Sequence, residues 1–183
     1  MLASASPRRQ ELLRNAGIDF VVRPSDIPEV PLAGESPQAF AERMATEKAK
    51  AVGATTPGAV ILAADTVVAV GTEILGKPED AADAARMLRL LSNRTHEVIT
   101  AVCLLGRDFE DVRSETTAVH FTAMSDTEIE DYVASGEPMD KAGAYAIQGC
   151  ASRWISKIEG DYYNVVGLPV DLVWRMLRER GVN

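Results

Sequence analysis

The sequence predicts an α/β fold in which helices flank a mixed β-sheet, formed by a single domain over residues 1–183. Strand-like and helical patterns alternate through the first third of the chain, and a hairpin signal follows in the middle. The length fits one domain that buries a sizeable core. No linker composition, internal repeat or heptad pattern divides the chain, so we expect these elements to form one unit.

Capping residues and apolar runs define the elements of the first third. Ser6 predicts an N-cap, because its hydroxyl can accept a hydrogen bond from a free backbone N–H, and Pro7 predicts the first helical residue, because no N–H is needed at that position. Gly17 ends that helix. The predicted elements are, in order, a strand Met1–Ala5, a helix Arg8–Ala16, a strand Phe20–Arg23, a loop Pro24–Pro37, a helix Gln38–Val52 and a buried strand Ala59–Ala64.

Turn residues and one capping box define the remainder. Gly71 and Thr72 between two β patterns predict a hairpin, and Ser125 followed by Glu128 predicts a capping box. The predicted elements are, in order, strands Thr66–Val70 and Glu73–Leu75, a helix Glu79–Leu91, paired strands His96–Leu105 and Val112–Thr122, a helix Asp126–Ser135, extended segments Ala144–Gln148, Trp154–Ile158 and Tyr163–Val166, and a helix Leu168–Arg180.

The charge balance restricts the class of ligand. The chain has 19 Lys and Arg against 27 Asp and Glu, a formal net charge of −8. An acidic surface repels nucleic acid polymers, whose binding depends on many Lys and Arg contacts to phosphates. A small phosphorylated ligand needs only a local basic cluster, so a mononucleotide suits this composition better than a polymer.

Cysteine content and hydropathy predict a cytoplasmic protein without a membrane partner. Cys103 and Cys150 are the only cysteines, too few for a disulfide framework or a four-cysteine zinc site. No apolar run approaches the roughly 20 residues that span a bilayer. No basic and apolar leader opens the sequence, which favours the cytoplasm.

Two arginines in the first predicted helix indicate an anion site. Arg8 and Arg9 directly follow Pro7, so both cations lie near the positive end of the helix dipole, which is unfavourable without an anion. The hydroxyls of Ser4 and Ser6 belong to the same segment. Helix N-termini bind anions, and guanidinium groups bind phosphate oxygens through paired hydrogen bonds. These residues predict a phosphate site, with a solvated helix start as the alternative.

Asp65 is the predicted catalytic or metal-binding carboxylate. It follows the buried strand Ala59–Ala64, where a carboxylate is costly unless it is paired, bound to a metal or placed at a cleft. Ligands of open α/β sheets collect at the carboxyl ends of strands, so we expect Asp65 at such an end. A turn-forming aspartate is the alternative.

Three further residues, Lys48, Lys77 and Gln148, have both a functional and a structural interpretation, and Glu29 by itself has a structural one. Lys48, on a predicted helix, fits a phosphate ligand or a solvated surface lysine. Lys77 lies in a stiff Gly-Lys-Pro turn and fits either role, while Glu29 fits a solvated loop acid. Gln148 offers a donor and an acceptor that match the edge of uracil or thymine, or is a satisfied loop amide. P-loop and zinc-ligand spacings are absent from the sequence.

Short motifs along the chain resemble those of the Maf family, the Maf-like nucleoside triphosphate pyrophosphatases. Several such motifs follow one another in order over nearly the whole sequence, and together they make the resemblance specific where any one alone would be weak. The motifs are LASASPRRQELL near the start, Glu47-Lys48-Ala49, AADTVV from Ala63, GKP from Gly76, DKAGAYAIQG from Asp140 and YYNVVGLPV from Tyr162. The resemblance implies an elongated fold with two lobes around a cleft, similar to inosine triphosphate pyrophosphatases.

The resemblance also implies a role for each candidate residue. Asp65 is implied to be the general base that activates water for attack on the α-phosphorus, or a metal ligand together with Glu29. Lys48 and Lys77 are implied to be catalytic residues on the phosphate side. The implied specificity positions are Arg8, Thr66 and Gln148.

The reaction implied by the resemblance is hydrolysis of dTTP or UTP, including modified pyrimidine nucleotides, to the monophosphate and pyrophosphate. A divalent cation, Mg²⁺ or Mn²⁺, and a homodimer are implied with it. Two alternatives are a pyrophosphatase for modified purine nucleotides and a regulatory nucleotide-binding protein that acts on cell division.

Overall fold

The computed structural model describes residues 1–182 and contains a five-stranded β-sheet covered by helices. The strands are β1 Ile61–Val70, β2 Glu73–Leu75, β3 Thr95–Leu105, β4 Glu110–Phe121 and β5 Ile155–Glu159. The helices are α1 Pro7–Asn15, α2 Pro37–Gly53, α3 Ala81–Leu91, α4 Asp126–Ala134, α5 Tyr162–Val166 and α6 Val170–Glu179, with 3₁₀ helices at Glu137–Asp140, Ala142–Ala144 and Cys150–Trp154. The strand order is β2-β1-β3-β4-β5, and neighbouring strands are antiparallel.

Strand β1 has a partner along only part of one side. It pairs with β3 from Ile61 to Ala69, but the short β2 reaches only Val68 to Val70. On that same side Leu2 forms a parallel bridge with Leu62. Within residues 1–182, positions 63–67 of β1 therefore have no strand on this side, and we call them the open edge.

Alternating residues of β1 belong to hydrophobic clusters on opposite faces of the sheet. Ala63 and Val67 pack with the apolar side of α2. On the other face, Ala64 packs with residues of α1 and α6, whereas Val68 packs with residues of α3 and α4. The two clusters on this second face thus lie towards opposite ends of β1.

The α/β class and most helices are confirmed. Ser6 caps α1 and Pro7 is its first residue, and Ser125 forms the predicted capping box with Glu128. The hairpin is also confirmed, with Val70 paired to Glu73 across a two-residue turn. Parallel pairing is confined to the bridges of Leu2 among the residues described. None of the helices within residues 1–182 combines the length and apolarity needed to cross a bilayer.

Several predicted extended segments are wrong. Residues 163–166 belong to α5, because the side chain of Asp161 accepts a hydrogen bond from the Tyr163 N–H and caps a helix there. Residues 144–148 form no strand, since Gly143 and Ala144 have positive φ angles of 67° and 60°. Segments 1–5 and 20–23 form no strands and contribute only the isolated bridges from Leu2 to Val22 and to Leu62.

The buried histidine of β3 makes stability depend on pH. His96 is 2% exposed, its Nε2 lies 2.8 Å from the Tyr145 hydroxyl, and its Nδ1 has no partner within residues 1–182. Burial, with a smaller contribution from His120, lowers the pKa of His96 from 6.5 to about 4. The unfolded chain therefore takes up a proton at a higher pH than the folded chain does.

We expect the free energy of unfolding to fall as the pH drops from about 6.5 towards 4, by about 3 kcal/mol from this residue. His96→Gln removes the titrating ring and keeps a polar group facing Tyr145, so its stability should fall less over that range. Urea unfolding of both proteins at several pH values measures the difference. Equal pH dependence in the two proteins would rule out His96 as the source.

Candidate active site

A cleft of about 640 Å³ contains every residue that the sequence singled out for function. This volume is within the usual range for sites that bind small molecules. The cleft runs along the open edge of β1 and includes residues of both faces of the sheet, with Asp65 on the face that packs with α2 and Thr66 and Val68 on the other. The predicted residues that line it are Ser4, Ser6, Arg8, Arg9, Glu29, Lys48, Asp65, Thr66, Lys77 and Gln148.

Asp65 lies in the middle of β1, so its predicted position at the end of a strand is wrong. The strand continues to Val70 because β3 pairs with it beyond Asp65 and β2 pairs with its last residues. The argument from carboxyl ends of parallel strands therefore does not apply to this antiparallel sheet. Asp65 lies at the open edge instead, and its side chain is on the face that packs with α2, where it meets Lys48.

Lys48 joins the two acidic residues of the cleft. Its ammonium lies 2.5 Å from Asp65 Oδ1 and 2.5 Å from Glu29 Oε1. Helix α2 packs Met44, Ala45 and neighbouring apolar residues against the sheet, and this packing carries Lys48 to an 8% exposed position. The interpretation of Lys48 as a solvated surface residue is therefore wrong.

Burial and charge oppose each other at these carboxylates. Burial raises the pKa of Asp65, although Lys48 and the more distant Arg9 act in the other direction. Glu29 is more exposed, and although burial is the largest single effect and raises its pKa, the hydrogen bond and charge of Lys48 together with the charges of Lys77 and Arg9 lower it below its ordinary value. The site thus combines one carboxylate that binds a proton more readily than usual with one that stays ionised.

The donor set is suited to a divalent cation that also binds phosphate. Asp65 and Glu29 come from different segments and converge on a single positive group, the Lys48 ammonium. No third His, Cys, Asp or Glu completes a metal-binding group with them in the described part of the chain. Mg²⁺ accepts this arrangement, since it commonly takes one or two carboxylates and fills its other positions with water and substrate phosphate oxygens.

Arg9 connects three parts of the fold that border the cleft. Its Nε donates to the Gly167 carbonyl at 2.8 Å, and Nη1 donates to the Ala64 carbonyl at 2.8 Å. Nη1 also donates to Ser4 Oγ at 3.3 Å, and Nη2 donates to Thr66 Oγ1 at 2.9 Å. Most donors of this guanidinium are thus used within the protein, and Arg9 holds α1 against the open edge.

Arg8, Lys77 and Gln148 line the cleft in a different way from Arg9. Within residues 1–182, none of the three side chains has a hydrogen-bond or ion-pair partner that would hold it against the protein. Two of them are cations and one is an amide, and they are the groups that a charged ligand with a polar ring would contact. The Thr66 hydroxyl, in contrast, already contacts Arg9 and Thr100.

Sequence reasoning did not select some residues that line or support the cleft. Asp140, Lys141 and Tyr145 line it, and Glu137 lies behind it. The first three belong to the DKAGAYAIQG motif, so their position in that motif was the available signal. Glu137 lies outside the motif, and only its contacts in three dimensions reveal it.

Comparison with known proteins agrees with this architecture. The model of the family described as Maf-like protein matches residues 1–180. A protein of Koribacter versatilis is 57% identical over all of this chain and 94% of its own length, and one of Symbiobacterium thermophilum is 52% identical over 99% and 93%. A protein of Geobacter sulfurreducens is 52% identical over 99% of this chain and 96% of its own length. All three are named dTTP/UTP pyrophosphatase. Because the match spans nearly the whole sequence at this level of identity, the chain belongs to the Maf family.

Proposed function

We propose that this chain is a nucleoside triphosphate pyrophosphatase that converts dTTP and UTP to the monophosphate and pyrophosphate. The observation that carries the proposal is the placement of the buried Asp65, bound to Lys48, in one cleft with Arg8 and Lys77. A buried carboxylate is suited to accept a proton, and the two cations are suited to a polyphosphate. The name shared by the relatives specifies the nucleotides and favours pyrimidine over modified purine substrates.

In the proposed reaction, Asp65 takes a proton from water as the water oxygen attacks the α-phosphorus. The bond from this phosphorus to the bridging oxygen breaks, and pyrophosphate leaves with the electron pair. Lys48 keeps Asp65 oriented, and Arg8 and Lys77 balance the negative charge of the phosphate chain. Positive charge beside the phosphate chain stabilises the negative charge that develops in the transition state.

Mg²⁺ or Mn²⁺ is the proposed cofactor, with Glu29 and Asp65 as its protein ligands. When bound, the ion supplies positive charge to the phosphate oxygens that gain negative charge during cleavage. In the structure, both carboxylates contact the Lys48 ammonium.

A panel of nucleoside triphosphates tests the proposal. The protein is incubated with dTTP, UTP, CTP, ATP, GTP and modified purine triphosphates, with Mg²⁺, with Mn²⁺ or with a chelator. We expect pyrophosphate and monophosphate in equal amounts from dTTP and UTP, and no products with the chelator. Release of orthophosphate would contradict cleavage at the α-phosphorus, and binding without products by the folded protein would favour the regulatory alternative.

We propose that Gln148 recognises the base of the nucleotide. Its amide can donate to the O4 carbonyl of uracil or thymine and accept from the N3–H. In Gln148→Ala, we expect the ratio of kcat/KM for UTP to that for CTP to fall about tenfold, since one or two hydrogen bonds to the base are lost. Gln38→Ala is a matched control, because Gln38 is exposed on α2, outside the cleft, and within residues 1–182 its side chain hydrogen-bonds to Glu42 alone. An unchanged ratio in Gln148→Ala would reject Gln148 as the base reader.

A further inference from the structure

The loop that carries Gln148 is attached at both ends to two residues, Tyr132 of α4 and Glu137 of the 3₁₀ helix that follows α4. The Ala146 N–H donates to the Tyr132 hydroxyl at 3.4 Å. The Cys150 N–H donates to the Glu137 carboxylate, at 3.0 Å from Oε1 and 3.2 Å from Oε2. These two contacts enclose Gln148, one before it and one after it in the chain.

Tyr132 and Glu137 also bind each other, so the two attachments form one connected unit. The Tyr132 hydroxyl donates to Glu137 Oε1 at 2.8 Å. Tyr132 is 1% exposed and its ring packs edge-on against Trp154, with 5.4 Å between ring centroids. The backbone of Glu137 is held as well, because its carbonyl accepts from Lys141 Nζ and its N–H donates to Ser135. The loop is therefore attached to a rigid support.

Glycine at position 149 fits this arrangement. A Cβ at Gly149 would overlap the carboxylate of Glu137. The absence of a side chain thus lets the backbone approach the carboxylate closely enough for the Cys150 N–H to bond. The φ of Gly149 is −107°, which other residues also adopt, so contact with Glu137 and not backbone strain accounts for the glycine.

The charge of Glu137 strengthens the attachment. Burial alone would raise the pKa of Glu137, but the hydrogen bonds from Tyr132 and from the Cys150 N–H lower it below its ordinary value. The carboxylate is therefore ionised at neutral pH, and hydrogen bonds to a charged acceptor are stronger than neutral ones.

We propose that Glu137, together with Tyr132, is a positioning residue that fixes the Gln148 loop and so determines discrimination between uracil and cytosine. The inference rests on the proposed function. Discrimination requires the Gln148 amide to meet the edge of the base at hydrogen-bond distance, and the two attachments fix the backbone on either side of Gln148. Glu137 makes no contact with Asp65 or Lys48, and its effect is expected in base selection and not in the chemical step.

The test compares Glu137→Ala with Glu128→Ala. Glu128 is a matched control, since it lies on α4, accepts hydrogen bonds from Ser125 and Trp154, and does not contact the Gln148 loop. We expect Glu137→Ala to reduce the UTP-to-CTP ratio of kcat/KM about tenfold through KM, with kcat for UTP changed less than about twofold. Glu137→Gln keeps an acceptor for the Cys150 N–H and should restore most of the ratio.

Two combinations of variants show whether Glu137 acts through the loop. Adding Glu137→Ala to Gln148→Ala should lower the ratio no further than Gln148→Ala does alone, because both changes remove the same contact. Gly149→Ala should lower the ratio in the natural protein and have little effect in Glu137→Ala, where the overlapping carboxylate is gone. Additive effects in both combinations would overturn the inference, as would equal ratios in Glu137→Ala and Glu128→Ala.

Amide hydrogen exchange separates failure of this inference from failure of the proposed function. Glu137→Ala should exchange faster than the natural protein at the Cys150 amide, and Glu128→Ala should not, whatever nucleotide the protein hydrolyses. If the natural protein shows no preference for UTP, the proposed function fails, and faster exchange still supports the positioning role. Unchanged exchange at Cys150 in Glu137→Ala would overturn that role by itself.

Discussion

Asp65→Asn is expected to lower kcat for UTP at least about 100-fold, since removal of a general base commonly costs this much. The amide has nearly the same shape as the carboxylate and cannot accept the proton from water. Asp65 is 6% exposed, so solvent does not readily replace it. Pyrophosphate release at saturating UTP and metal measures the loss.

The variant should remain folded because Lys48 keeps its contact with Glu29. Circular dichroism and urea unfolding verify this before turnover is compared. Asp126→Asn is the matched control, since the side chain of Asp126 is 74% exposed and pairs with Arg89 outside the cleft. Turnover of Asp65→Asn at the rate of this control would remove Asp65 from the mechanism.

Arg9→Lys is expected to lower the free energy of unfolding by about 3 kcal/mol, because several hydrogen bonds made by one planar guanidinium are lost or misplaced. The carbonyls of Ala64 and Gly167 lose well-aligned donors in this variant. A lysine ammonium at the same position cannot reach all the acceptors that surround Arg9. Denaturant unfolding measures the change.

Arg8→Lys is the comparison, since it makes the same substitution one residue earlier. Arg8 lines the cleft without a hydrogen-bond partner among residues 1–182, so its stability should change by less than about 0.5 kcal/mol. Its KM for UTP should rise because a lysine binds phosphate less specifically than an arginine. The reverse pattern, with Arg8 important for stability and Arg9 only for KM, would contradict the roles that the contacts indicate.

The elements that depend on local chemistry could be predicted from the sequence. Ser6 and Pro7 defined the start of α1, and Ser125 with Glu128 defined the start of α4, since a cap satisfies N–H groups within its own first turn. The site residues could also be selected, because their motifs stand in one order along the chain. That these residues line one cleft, however, is determined by the fold, which brings separate segments of the chain together.

The geometry that makes these residues work together depends on distant contacts. The predicted strand Glu73–Leu75 coincides with β2, but the residues around Asp65 do not show that β1 continues through them beside β3 and lacks a partner there on its other side. Lys48 is buried because of the packing of α2, which a single exposed-looking lysine does not indicate. The different uses of Arg8 and Arg9 depend on Gly167, more than 150 residues away in the chain.

The open edge of β1 also has a consequence for aggregation. Unpaired strand edges are templates on which another chain can add a strand, and natural proteins protect them with charges. Here the protection comes from Arg9, which binds the Ala64 carbonyl, and from the adjacent charges of Asp65 and Lys48. The charged groups proposed to bind the nucleotide thus also oppose the addition of a strand from another chain. Loss of Arg9 is therefore expected to favour self-association as well as unfolding.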